Sequence, residues 1–64
     1  MTHCVTFRDI DDVHEREEWA LANCKTFIYR IITDVSDVSN NVDTLYDFYF
    51  SDEKDAVWFR LYWQ

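Results

Sequence analysis

The chain contains no glycine and no proline in its 64 residues. Every reversal of direction must be made by residues that carry a Cβ, for which positive φ is sterically unfavourable. Asn and Asp tolerate that region best, because their short polar side chains bond locally. Turns are therefore expected where such residues cluster, as at Ser39-Asn40-Asn41. The same absence removes whole chemistries. Without glycine there is no phosphate-cradling loop, and neither a P-loop nor a dinucleotide-binding fingerprint can be present.

The chain is short enough to make one domain, residues 1–64; a second core would not fit. Its means of building a core are three Trp, four Tyr and five Phe. Each aromatic can bury roughly 150–250 Å². Thirteen acids against six Lys and Arg give a formal net charge of −7. That charge repels nucleic acid and anionic lipid, which are held through Lys and Arg clusters. No direct nucleic-acid partner and no membrane partner are expected. The charge suits a basic partner approached by electrostatic steering, although solubility alone is the simpler explanation.

Cys4 and Cys24 are too few for a disulfide framework. No apolar stretch of signal-peptide type follows Met1, and no run is long enough to span a bilayer. The expectation is a cytoplasmic chain with reduced thiols.

Six elements can be read in order. His3 to Arg8 alternates, with Val5 and Phe7 on one side and Thr6 and Arg8 on the other, which predicts a strand. Asp12 and Glu15 have the spacing of a capping box and open a helix over about Val13 to Lys25. Val13, Ala20, Leu21 and Cys24 form its inner face, with Trp19 at the flank. Residues 26–33 admit two readings. Phe27, Ile28, Ile31 and Val35 could extend the helical stripe, making a rod over residues 12–34. Thr26, Ile28, Ile31, Ile32 and Thr33 are β-branched, and both alternating faces are apolar, which favours a central strand. Val35 to Asp43 reads as a polar connection. Tyr46, Phe48 and Phe50 then alternate with Asp47 and Tyr49 as a further strand. Ser51 is expected to cap a short helix that turns Ala56 and Phe59 inward. Arg60 to Trp63 either continues that helix or forms a last strand.

The order β-α-β-β-α, with a possible final β, predicts an α+β fold. It matches a small ferredoxin-like plait, with two helices on one face of a mostly antiparallel sheet. The other face would have no helical cover, and an exposed apolar face marks an interface. Some of Ile28, Ile32, Tyr49 and Tyr62 should lie there, depending on register.

The residues that could carry chemistry are badly placed for it. His3, Cys4, His14 and Cys24 are all possible metal ligands. His3 and Cys4 are adjacent on a strand and diverge, and His14 lies about 15 Å along a helix from Cys24. They cannot share an ion, so no metal and no cofactor are expected. Cys24 belongs to an apolar helix face, where burial makes a thiol inert. The pairs Asp11/Asp12, Glu17/Glu18 and Asp52/Glu53 sit at helix starts or on solvent faces, where capping and solvation explain them. Such a small chain has little room for a substrate pocket of about 300 Å³ or more, so no enzymatic activity is expected.

The remaining reading is a protein-binding module. Tyr29, Ile32, Tyr49, Tyr62 and Trp63 are the candidate anchors, with core packing as the alternative for each. Asp11, Asp12, Glu15, Glu18, Asp52 and Glu53 are the candidate steering acids at the rim. The partner would be a protein with a basic or apolar surface, or a second copy pairing sheet faces in a structural homo-oligomer. A further alternative is mimicry of nucleic acid, with carboxylates occupying a basic cleft.

Two stretches carry a resemblance, NCKTFIYRIITDVSDVS and YDFYFSDEKDAVWFRLYW. The second, Tyr46 to Trp63, resembles the C-terminal part of small uncharacterised proteins from tailed phages of marine cyanobacteria. The resemblance covers about half the chain and includes no catalytic motif. It implies a phage-encoded protein acting inside a bacterial cell as an inhibitor or modulator of host machinery.

Overall fold

A computed structural model describes all residues, 1–64. The elements are β1 (His3–Arg8), α1 (Val13–Asn23), β2 (Phe27–Ser36), β3 (Val42–Phe50) and α2 (Glu53–Tyr62). The fold is α+β, with two helices on one face of a three-stranded sheet. Strand order is β1-β3-β2, and both neighbours run antiparallel to β3. β1 and β2 are therefore parallel to each other across β3, joined by α1.

The β-branched run at residues 26–33 forms strand and not helix, as its composition favours. Its place differs from expectation. β2 lies at an edge, and the cleanly alternating β3 is central. β2 is apolar on both faces, yet its distal part lies beyond the cover of the helices. Every residue from 31 to 42 is exposed. The polar stretch from Val35 to Asp43 does connect the strands, but only residues 37–41 form the turn; its ends belong to the ladder, with Ser36 opposite Val42. Polar side chains just outside it are matched across the strands. Thr44 donates to Asp34 at 2.9 Å. The five-residue turn is closed by Asn40 at φ 65°, and Asp9 at φ 52° ends β1. The only two positive-φ residues are thus an Asn and an Asp, as a glycine-free chain requires.

The core lies between the sheet and the helices. Val5, Phe48 and Phe50 meet Ala20 and Cys24 from the α1 side and Ala56 and Phe59 from α2. Phe59 is fully buried, with its ring 4.8 Å from Phe48 and 5.1 Å from Phe50. Trp19 joins the two helices, stacking on Tyr62 at 4.4 Å and meeting Trp58 edge-on at 5.0 Å. Leu21, expected inward, is 67% exposed: α1 ends at Asn23 and turns Ala20 and Cys24, not Leu21, onto the sheet.

The caps of both helices differ from the sequence reading. The Asp12 carboxylate makes no capping bond. It accepts from Arg16 Nε at 2.7 Å instead, so an ion pair replaces the capping box. At α2 the cap is Asp52, not Ser51; its carboxylate accepts from the Lys54 N–H at 3.0 Å. No last strand forms. Arg60 to Tyr62 continue α2, where Arg60 favours the helix C-terminus.

Candidate protein-interaction surface

Strand residues alternate between faces, so one inserted residue reverses all that follow. Such an irregularity lies between Phe27 and Tyr29 in β2. Phe27 faces the core, its ring 5.5 Å from Phe50. After the extra residue, Ile28, the odd-numbered positions of β2 turn to the face without helices. Tyr29, Ile31, Thr33 and Val35 line up there with Tyr49, Asp47, Leu45 and Asp43 of β3. β1 adds Cys4, Thr6 and Arg8 opposite Tyr49, Asp47 and Leu45.

This uncovered face has an aromatic end and an aliphatic end. Tyr29 and Tyr49 meet edge to face at 5.1 Å. Ile31 and Val35 continue the stripe along β2 and stay 42% and 46% exposed. Polar groups on the face are tied down. Thr6 donates to Asp47, and Arg8 lies 4.0 Å from Asp43. The Tyr49 phenol is held above its ordinary pKa, first by the neighbouring Cys4, then by desolvation.

Of the five expected anchors, the fold brings together only Tyr29 and Tyr49. Ile32 is exposed but projects to the helix side, opposite Tyr46 and beyond the reach of α1. Tyr62 lies on α2, stacked on Trp19 and 58% exposed. Trp63 is half-buried and packs on the core beneath Arg16. Ile31 and Val35 also belong to the face, though the sequence alone does not mark them as anchors. Their signal, a β-branched residue at every other position, was present, but the irregularity at Ile28 hid which set faces outward.

The steering acids are not at the rim of this face. Asp11, Glu15 and Glu18 are exposed on and just before α1, on the helical side. Asp12 is held by Arg16 and Asp52 by its cap. Glu53 is exposed on the first turn of α2. The acids of the face lie within it, Asp43 and Asp47 on the central strand.

Cys4 and Cys24 lie apart, but His3 and Cys4 line, with Glu53 and Arg60, a groove of about 500 Å³, more room than the length of the chain suggests. Both cysteines are free, Cys4 exposed and Cys24 buried. Burial, with help from the Asp55 carboxylate, pushes the Cys24 thiol up to about 11. No three His, Cys, Asp or Glu side chains are grouped so as to hold a metal ion. No helix is long and apolar enough to cross a membrane. No family model, no curated protein and no solved structure matches the chain.

Proposed function

We propose that this chain is a non-enzymatic protein-binding module whose contact surface is the uncovered face of the sheet. The observation that carries the reading is the stripe of Tyr29, Ile31, Val35 and Tyr49 on the face of the sheet that carries no helix, with Tyr29, Ile31 and Val35 open to solvent. Aromatic residues flanked by aliphatic ones are the usual energetic centre of a protein interface. The strand order and the β-α-β-β-α succession support a ferredoxin-like plait that lacks its fourth strand. The resemblance to small cyanophage proteins makes the partner a cytoplasmic host protein, inhibited or modulated by occupation of an apolar or basic surface. With a net charge of −7, the module approaches a basic partner quickly at low salt.

The test is capture from a cyanobacterial lysate with the wild-type chain and with Tyr29→Ser and Ile31→Asp variants. Both sites are exposed, so the fold should persist. One protein retained by the wild type and lost by both variants supports the reading. Retention unaffected by either substitution excludes this face. Capture that collapses in high salt yet ignores both substitutions would favour the acids of α1 and a mimic of nucleic acid.

A further inference from the structure

The β1 strand has a partner on one side only; its outer edge is open. Antiparallel ladders alternate between residues that bond to the partner strand and residues whose N–H and C=O point away. Asp9, just past β1, donates its N–H to Thr44 O at 2.9 Å. The register runs back from there without a break to His3 opposite Phe50. Val5 and Phe7 therefore bond to β3, while the backbone groups of Cys4, Thr6 and Arg8 point outward. Neither a bulge nor a proline blunts this edge, whereas β2 carries an irregularity beside Tyr29.

Beside the edge runs a groove of about 500 Å³, between the start of β1 and the outer face of α2. Glu53, Ala56, Val57 and Arg60 form its helical wall. Their spacing puts them on one face of the helix. That wall is self-complementary. Turned end for end about its centre, it sets Glu53 against Arg60 and Ala56 against Val57. The charges cancel, with Val57 37% exposed at the middle and Ala56 buried beneath it. In a chain of charge −7, this patch is locally balanced.

We propose that a second copy of this chain occupies the edge. β1 pairs antiparallel with its copy about a two-fold axis through Cys4, so that Thr2 faces Thr6 of the copy. The product is one six-stranded sheet with all four helices on the same side. The spacing fits. Strands lie about 4.8 Å apart. α2 sits over β1 and β3, about one strand spacing from the axis. The two α2 helices then come to about 10 Å, the ordinary distance for packed helices. Each makes a Glu53–Arg60 pair with its copy. The same two residues lie seven apart on one helix, about 10 Å along its axis, and do not pair within a chain. The surface is independent of the Tyr29–Tyr49 face, so either reading can fail alone.

Charge reversal with rescue tests the arrangement by sedimentation velocity. The wild type should show a reversible, concentration-dependent dimer. Glu53→Arg and Arg60→Glu should each weaken it about tenfold, since two pairs become repulsive together. The double variant should restore it. Both reversals oppose the α2 dipole, so the double variant is the least stable fold, opposite in order to the dimer series. Copper-phenanthroline oxidation should cross-link the wild type through Cys4, because residues opposed in a bonded pair lie about 5.5 Å apart, within disulfide reach. Cys4→Ser should abolish the cross-link. A monomer at all concentrations overturns the proposal. So does a dimer that the double variant does not rescue, or one broken by Ile31→Asp and not by the reversals.

Discussion

Asp55 on α2 holds Thr26 at the start of β2, accepting from its hydroxyl at 2.6 Å and from its backbone N–H at 3.1 Å. Thr26 in turn accepts at its carbonyl from the Ser51 N–H at 2.9 Å and at its hydroxyl from the Asp52 N–H at 3.3 Å. One threonine thus ties the α1–β2 junction to the β3–α2 turn. Hydrogen bonds to a partly buried carboxylate are the strong kind. Asp55→Ala should destabilise the fold by about 2 kcal/mol, a fall in Tm on the order of 10 °C for a domain of this size. Thr26→Ser, which keeps both donors, should cost much less. Thermal unfolding followed by circular dichroism measures both, and equal losses for the two variants would refute the role given to Asp55.

Arg16 lies between two aromatic rings, 4.4 Å from the Phe7 centroid and 5.0 Å from that of Trp63. Its Nε is fixed by Asp12, and a terminal nitrogen lies 3.4 Å from the Trp63 carbonyl. The planar guanidinium suits this slot, and an ammonium does not. Arg16→Met keeps the apolar stem and removes charge and fork together. A loss of about 1–2 kcal/mol is expected, with Arg16→Lys recovering less than half of it. Urea unfolding gives the difference. Full recovery by lysine would show that charge alone matters there.

These contacts also mark where the sequence ceases to be legible. β1, the start of α1, and the inward turn of Ala56 and Phe59 follow from alternation and helical spacing, which are local. The choice made by Asp12 is not local. Its carboxylate could take the backbone N–H of a capping box or the Arg16 side chain, and the slot between Phe7 and Trp63 decides it by fixing Arg16. The displacement of Ile32 to the helix side has the same character. One inserted residue after Phe27 reverses the faces of β2, and in a chain without glycine nothing in composition announces it. The Tyr29–Tyr49 contact is not legible in the sequence, because a strand without that irregularity puts Tyr29 on the side of Phe27, away from the face of Tyr49. Nor is the pairing of Asp34 with Thr44, since each residue looks like loop until its cross-strand partner is known. The type of Trp63 suggests an interface anchor, but the fold packs it on the core beneath Arg16, with its indole N–H buried and unbonded.

The two thiols should behave as different species. Cys24 is 2% exposed, and its pKa of about 11 leaves a thiolate fraction on the order of 10⁻³ at pH 8. Cys4 is exposed on the open face. Titration of the native protein at pH 8 with an aromatic disulfide reagent should consume one thiol equivalent promptly and the second only in denaturant. Prompt reaction of both would mean that α1 opens readily from the sheet.

The turn between β2 and β3 should lose strength in acid. The Asp37 carboxylate accepts from the Ser39 N–H at 2.9 Å, the Ser39 hydroxyl at 2.8 Å and the Asn41 N–H at 3.1 Å. These bonds favour the charged form and hold its pKa below the ordinary 3.8, the Ser39 side chain contributing most. A carboxylate depressed in the folded state stabilises that state above its unfolded pKa, and the contribution fades as pH falls through the folded value. Asp37→Ala should therefore lower Tm at neutral pH. The gap to wild type should stay constant down to about pH 5, then narrow through the acid range until the two curves meet. A gap that stays open after the carboxylate is protonated would assign the effect to the backbone of the turn, which here must reach positive φ at Asn40 with no glycine to ease it.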